Sequence, residues 1–316
     1  MENADYQALE LRIGRPHLSE RLRMQAGKAA KLLHQGEGVF RLERILPVDA
    51  LVSLALRLSG LAALAQRNFL DVRVVEHDWV LPHLPASFDG FRLLQLTDLH
   101  LDLDPSLTPV VEHLVRATAH DAAVVTGDFR NRTDGEYATC LRETAKITKA
   151  LAPLRWGVLG NHDFIEMVPS LERDGLPVLL NECATIRRGD DALWIAGIDD
   201  PHFYMTHDLA KVRAAAPPGA CLILLAHSPD VYPEAEPLGF DLQLSGHTHG
   251  GQICLPGGRA VIRSCKVRKP FLKGRWRHGT LQGYTSPGTG SCAVAARLNC
   301  PPEITLHILR CARPTG

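Results

Sequence analysis

The apolar positions of this chain fall into short runs, and most of those runs end in polar residues. Phe91–Leu96, Ala122–Val125, Trp156–Leu159, Leu193–Ile198, Cys221–Leu225 and Asp241–Leu244 span only four to six residues each. None alternates cleanly, which predicts strands covered on both faces. Val72–Val80 alternates loosely and is rich in valine, the pattern of a further strand, and Pro82 and Pro85 break the chain after it. Helical segments lie between. Thr108-Pro109 supplies an N-cap and a proline at N1 for a helix over Val110–His120. Glu136–Leu151, stopped by Pro153, is another. Turns are expected at Pro217-Pro218-Gly219 and Leu255-Pro256-Gly257-Gly258. Strands alternating with helices predict an α/β fold, with polar groups collecting in loops at strand ends.

The first part of the chain reads differently. Residues 1 to about 45 are polar and helical in composition, with eight Arg/Lys and three Glu between Leu11 and Ile45. Such a face suits either solvent or an anionic lipid surface. Ile45–Ala65 is apolar and almost long enough to span a bilayer, which takes about 20 residues. Asp49 and Arg57 interrupt it, and a central Arg costs about 2.5–3.5 kcal/mol on insertion. Asp49, Ser53 and Arg57 recur every fourth residue and share one helical face. A helix packed on the core or lying in a membrane interface is therefore expected, ahead of a spanning one. This divides the chain into a helical region 1–80, with a membrane-docking candidate at 45–65, and a domain over 81–316.

Composition narrows the class. The chain has 316 residues, 45% hydrophobic and 22% charged, which excludes wholesale disorder and a polytopic membrane protein. Its formal net charge is zero, so any attraction to anions is local. Eight cysteines form no CxxC pair, and the chain is neither small nor Cys-dense. Buried free thiols in a reducing, cytoplasmic compartment are expected. The polar, acidic start MENADYQALELR is unlike a secretory signal.

The strand ends carry the chemistry. LLQLTDLH delivers Asp98 and His100, and AVVTGD delivers Asp128. GVLGNHD delivers Asn161, His162 and Asp163; CLILLAH delivers His227; DLQLSGHTH delivers His247 and His249. The i, i+2 spacing of Asp98/His100 and of His247/His249 would point both members of a pair the same way in extended chain. Carboxylates with neutral imidazoles suit Mn, Fe or Zn, and no thiol stands at these positions. The set exceeds the needs of one ion. Two ions about 3.5–4 Å apart, sharing one carboxylate, would use all of it. Gly127, Gly160 and Gly246 would let the backbone turn tightly beside them. One such residue alone would read as a cap or a solvated loop; five strand ends together do not.

The series TDLH, GDF, GNHD, AHS and GHTHGGQ resembles the calcineurin-like metallophosphoesterases, over roughly Phe91 to Gln252. The resemblance implies a four-layer αββα sandwich of two mixed sheets flanked by helices. It implies two divalent ions, manganese being expected and iron or zinc also fitting. One would be held by Asp98, His100, Asp128 and His249, the other by Asp128, Asn161, His227 and His247. His162 would contact the phosphoryl oxygen or protonate the leaving group, and Asp163 would orient it. The reaction implied is in-line attack on phosphorus by a hydroxide bridging the ions.

GDFRNRTDG and GNHD depart from the GDxVDRG and GNHE of the protein Ser/Thr phosphatases. GHTHGGQICLP and GYTSPGTGSCAVAARLNCPPEITLHIL are similar to a bacterial, often membrane-associated phosphodiesterase branch, whose members act on lipid-linked or nucleotide substrates. Hydrolysis of a phosphodiester or pyrophosphate bond is the expected activity. A phosphomonoesterase and a non-catalytic scaffold are the alternatives. Arg130 and Arg132 are candidates for a phosphate oxygen. Arg259, Arg263, Lys266, Arg268, Lys269, Lys273, Arg275 and Arg277 form a basic run with Phe271 and Trp276 interleaved. That run suits a solvated surface or an anionic membrane better than nucleic acid. The expected location is cytoplasmic, peripheral on the inner membrane. Asp199, Asp200, His202 and His207 are expected to shape the substrate rim rather than bind a third metal.

Overall fold

A computed structural model describes residues 3–34, 48–260 and 268–312, with the side chains of 28–34 and 48 excepted. Helices α1 (Asn3–Ile13), α2 (Arg15–His34), α3 (Val48–Leu58) and α4 (Ala62–Leu70) precede the first strand. The strands are β1 (Arg73–Leu81), β2 (Phe91–Leu96), β3 (Ala122–Thr126), β4 (Leu154–Val158), β5 (Glu182–Arg188), β6 (Asp191–Gly197), β7 (Cys221–Leu225) and β8 (Leu242–Ser245). β9 (Cys254–Leu255), β10 (Arg259–Ala260), β11 (Gly274–His278), β12 (Leu281–Thr285) and β13 (Glu303–Cys311) complete them. Helices α5 (Leu107–Ala117), α6 (Ala138–Thr148), α7 (Val168–Arg173), α8 (Leu209–Ala215) and α9 (Tyr232–Ala235) lie between strands.

Two mixed sheets carry the fold, in the orders β1-β13-β2-β3-β4 and β11-β12-β8-β7-β6-β5. β2, β3 and β4 run parallel, as do β6, β7, β8 and β12; the antiparallel pairs are β13–β2, β5–β6 and β11–β12. The central strands are mostly apolar because successive side chains enter different cores. Leu93, Ala122, Val124, Ile223 and Leu225 meet between the sheets. Their neighbours Leu94, Ala123 and Val125 pack outward under α5, α6 and α7, and Leu222 and Leu224 pack outward under α8 and α9. This is the αββα sandwich that the motifs implied. A Leu→Ala change in the middle layer removes contacts to both sheets and costs about 2–5 kcal/mol.

The expected strands are present within two residues of their sequence bounds. Helix α5 starts at Leu107 rather than Val110, with Ser106 in the cap position and no side-chain cap bond. The apolar segment 45–65 is not one helix. Its first residues lie outside the described ones, and the rest breaks at Ser59-Gly60 into α3 and α4, bent by 116°. No single described helix is long and apolar enough to cross a membrane. The boundary expected at residue 80 falls inside β1, which pairs along its whole length with β13. α1 and α2 also join the body of the fold: Leu9, Ile13 and Leu18 are buried in the core beneath the first sheet. Cys265 lies outside the described residues; the seven other cysteines are all free, four of them buried.

Candidate metal centre

The site forms where β2, β3, β7 and β8 end together with the turn after β4. Among the described residues, five of the ten non-glycine residues with positive φ are its acids and imidazoles: Asp98 (51°), His100 (45°), Asp128 (55°), His247 (69°) and His249 (50°). Left-handed backbone is uncommon outside glycine, though Asp and His tolerate it better than most. The pairs Asp98/His100 and His247/His249 therefore do not converge as extended chain would carry them. They converge because each strand end coils tightly. The glycines make room for this. A Cβ on Gly160 would lie under 3 Å from the Asp128 carboxylate, and one on Gly246 would lie as close to that of Asp98.

All seven expected ligand residues meet. His227 Nε2 lies 3.3 Å from Asp128 Oδ2 and 3.0 Å from Asn161 Oδ1. His100 Nε2 lies 3.7 Å from Asp128 Oδ2 and 3.2 Å from His249 Nε2, which lies 3.4 Å from Asp98 Oδ1. The outward nitrogens are fixed by backbone carbonyls. His100 Nδ1 bonds the Arg130 carbonyl at 2.7 Å, and His227 Nδ1 bonds that of Thr126 at 2.8 Å. This leaves each Nε2 facing the others, the arrangement that metal-binding histidines need. His247 Nε2 is buried with no hydrogen-bond partner. An orphaned imidazole nitrogen beside Asp128 and His227 is the donor a cation would satisfy.

The electrostatics of the cluster suit a bound cation. Burial opposes ionisation of Asp128, but His227 and His162 outweigh it and hold that carboxyl well below its usual range. Burial alone would lower His227; Asp128 instead raises it to about 10. Burial, with the Asp128 charge adding, pushes Asp98 upward. Burial lowers His100 to about 4, and puts His247 and His249 well below their ordinary value. Three imidazoles are thus ready as neutral ligands, while a proton on His227 balances the central carboxylate.

His162 stands at the same carboxylate, with Nε2 3.9 Å from Asp128 Oδ2. Its orientation corrects the expectation. The ring is held by the Asn131 carbonyl, 2.6 Å from Nδ1. Asp163 points into the protein, where it accepts amide hydrogen bonds from Asp128 and Gly160 at 2.8 Å and from Phe129 at 2.9 Å. Asp163 shapes the loop that presents Asp128. Arg130 is also redirected. Fully buried, it bonds the Asp134 and Gly135 carbonyls and lies 4.3 Å from the Phe164 ring centre. Arg132 is exposed and sits 3.5 Å from Asp134. Neither arginine lines the cavity over the site.

Other sequence candidates separate. Asp199 is buried against Arg21 and His17 of α2, and Asp200 accepts backbone amides of residues 202–204. His207 lies 3.6 Å from Glu234. His202 does reach the cavity, its ring centre 4.1 Å from that of His247 and its Nδ1 2.9 Å from Asp230. In the basic run, Arg263 and Lys266 lie outside the described residues. Phe271 and Trp276 are core residues, Phe271 stacked on Tyr232 at 3.9 Å, so they offer no platform for bases. Arg275 covers Trp79, and among the described basic residues of the run Lys273 reaches the metal loop, beside Gly250.

Two further contributors lie in the segment GYTSPGTGSCAVAARLNC, where neither has a role assigned from sequence. Cys292 comes near enough to His100 and His249 to share an ion with them, although burial pushes its thiol to about 12. Arg297 is fully buried and donates to the His249 carbonyl at 3.1 Å. Both sit in an irregular loop whose residues follow no period.

A family model described as calcineurin-like phosphoesterase matches residues 91–251, the span that contains all seven ligand candidates and His162. The chain belongs to that family. Relatives cover most of the chain. The metallophosphoesterase YkoQ of Bacillus subtilis (strain 168) is 32% identical over 256 residues, 77% of this chain and 92% of its own. Phosphodiesterase YaeI of Escherichia coli (strain K12) is 30% identical over 233 residues, covering 68% and 81%. A transmembrane protein with metallophosphoesterase domain from Danio rerio is 29% identical over 285 residues, 82% of this chain and 61% of the fish protein.

Proposed function

We propose that this phosphoesterase uses two divalent cations to hydrolyse a phosphodiester or pyrophosphate bond. The observation that carries the reading is the meeting of Asp98, His100, Asp128, Asn161, His227, His247 and His249 in one cluster with a partnerless His247 Nε2. Asp98, His100, Asp128 and His249 would hold one ion, and Asp128, Asn161, His227 and His247 the other, with Asp128 shared. Bound cations there would neutralise phosphoryl oxygens and bring water toward ionisation near pH 7.

The protein's own groups do the rest. His227, 3.3 Å from the Asp128 carboxylate, would have to be deprotonated at Nε2 to hold a cation there. His162, whose Nδ1–H donates to the Asn131 carbonyl, presents Nε2 to the cavity, and as the imidazolium it would give the Nε2 proton to the departing oxygen and return to the neutral ring. The likeness to YaeI, a phosphodiesterase by name, supports a diester over a monoester.

Chelator-stripped protein should be inactive on bis-(p-nitrophenyl) phosphate and regain turnover with Mn²⁺. Absence of cleavage with Mn²⁺, Fe²⁺ and Zn²⁺ alike would refute the reading.

A further inference from the structure

The cavity over the metal centre measures about 770 Å³ and has two unlike ends. One end is formed by Asp128, Asn161, His162, His247 and His249. The other is walled mainly by Val52, Leu56, Leu61 and Leu64 of the α3–α4 corner with Ile253 and Leu298, and Asp49, Ser59 and Asn68 also line it. The corner is fastened in place. Leu56 and Ala65 pack on Ala296 and Leu298, and Asn68 donates to the Arg297 carbonyl at 3.1 Å. Arg297 in turn reaches His249, so the apolar wall and the metal loop share one support.

The wall says what kind of substituent it takes. Among the described residues, no Lys or Arg lines the cavity to hold further phosphates, and no Phe, Tyr or Trp lines it to stack a base. A nucleotide would want both. An aliphatic wall continuous with a phosphate-ester site suits a hydrocarbon chain attached to that phosphate.

The outer side of the same corner is apolar too. Leu51, Leu54 and Leu58 are 53%, 45% and 80% exposed, and Leu61 and Leu64 are 39% exposed at the cavity rim. Five large aliphatic residues clustered in residues 51–64 form an exposed patch of the kind that marks an interaction surface. The 116° bend lets the two short helices lie in a lipid surface, not span it.

Building on the hydrolase reading above, we propose that the substrate is an acyl- or alkyl-bearing phosphodiester or pyrophosphate. Its chain lies against Val52, Leu56, Leu61 and Leu64, its phosphoryl group lies at the metal centre, and the α3–α4 corner rests in the lipid surface that supplies it.

Calorimetry on the full Mn²⁺-loaded chain tests the tail site without needing turnover. Hexadecylphosphocholine and glycerophosphocholine share a phosphodiester head and differ in the tail. At least tenfold tighter binding of the hexadecyl compound is expected, and the double variant Leu61→Gln, Leu64→Gln should abolish the difference. Equal affinity for the two, or a difference that survives in a folded double variant, overturns the tail site. Leu58→Gln, at an exposed position where folding is not at stake, should reduce sedimentation with equimolar phosphatidylcholine–phosphatidylglycerol vesicles several-fold. Unchanged sedimentation overturns the surface role. Tail discrimination without cleavage of bis-(p-nitrophenyl) phosphate would leave this inference standing and remove the hydrolase reading instead.

Discussion

The carboxylate of Asp163 accepts a hydrogen bond from the backbone amide of Asp128 at 2.8 Å, while the neighbouring His162 ring is held by the Asn131 carbonyl. Adjacent residues of one GNHD motif thus do separate jobs. Asp163 fixes a loop in left-handed conformation, and His162 faces the cavity.

That separation makes Asp163→Asn informative. The amide keeps one acceptor oxygen and turns an NH₂ toward backbone donors, so the Asp128 loop loses part of its support. Metal affinity should fall about 10- to 100-fold, the usual cost of removing support from behind a ligand. Metal titration followed by assay at saturating Mn²⁺ checks it. A variant with normal metal affinity and poor turnover would instead return Asp163 to the role of orienting His162.

His162→Ala should behave in the opposite way. Loss of a positioned proton donor typically costs about 10²- to 10⁴-fold in rate. Metal content, measured by elemental analysis, should stay near that of the parent because the other ligand candidates keep their contacts. Full turnover in this variant would exclude the proton-donor role.

Metal binding should be linked to pH through His227. In the absence of a cation Asp128 raises this imidazole to about 10, so Nε2 is protonated throughout the neutral range. A cation must displace that proton. Apparent affinity for the site should therefore rise by about tenfold for each unit of pH between 6 and 8. Titrations at the two ends of that range would reveal it, and a flat dependence would show that His227 binds no metal.

The α2 helix should be docked through a carboxylate that resists acid. Asp199 is fully buried and its carboxyl is lowered to about 2: burial opposes this, but Arg21 and a 2.9 Å contact from His17 prevail. A group whose folded pKa is depressed stabilises above its unfolded value, about 3.9, and loses that contribution as pH falls through about 2. The contribution is on the order of 2 kcal/mol, complete above about pH 5. Arg21→Met removes the buried partner and should cost roughly 3–5 kcal/mol at pH 7. Thermal unfolding of parent and variant across pH 2–7 measures both effects. A variant as stable as the parent would show that the pair does not hold α2 in place.

Gly160→Ala should abolish metal binding without unfolding the sheets. The added methyl would collide with the carboxylate of Asp128 and with its backbone amide. Circular dichroism together with metal titration would separate local from global damage, and normal metal affinity would show that the loop can yield.

The strands of the middle layers were legible because burial on both faces leaves a local mark: Phe91–Leu96 and Cys221–Leu225 are bounded in the structure as in the sequence. The ligand set was legible for a related reason. Each parallel strand must end at the same edge, so polar residues just after apolar runs are brought together by topology. Local pattern does not carry the direction of a side chain within a tight loop. Arg130 and Asp163 read as site-facing, yet both turn inward, because their positions follow from left-handed residues and close glycine contacts between strands distant in sequence. The 45–65 segment shows the same limit. Its apolar face was visible, but the corner at Gly60 and its seat on Ala296 and Leu298 depend on a partner more than 200 residues away. Sequence alone determined the strands and the ligand types, which rest on burial and spacing along one strand, and the resemblance of the strand-end motifs supplied the layers and the family. Tertiary structure alone decided which polar groups face the cavity and that an aliphatic wall adjoins the metal centre, because both arise from contacts between segments that share no local pattern.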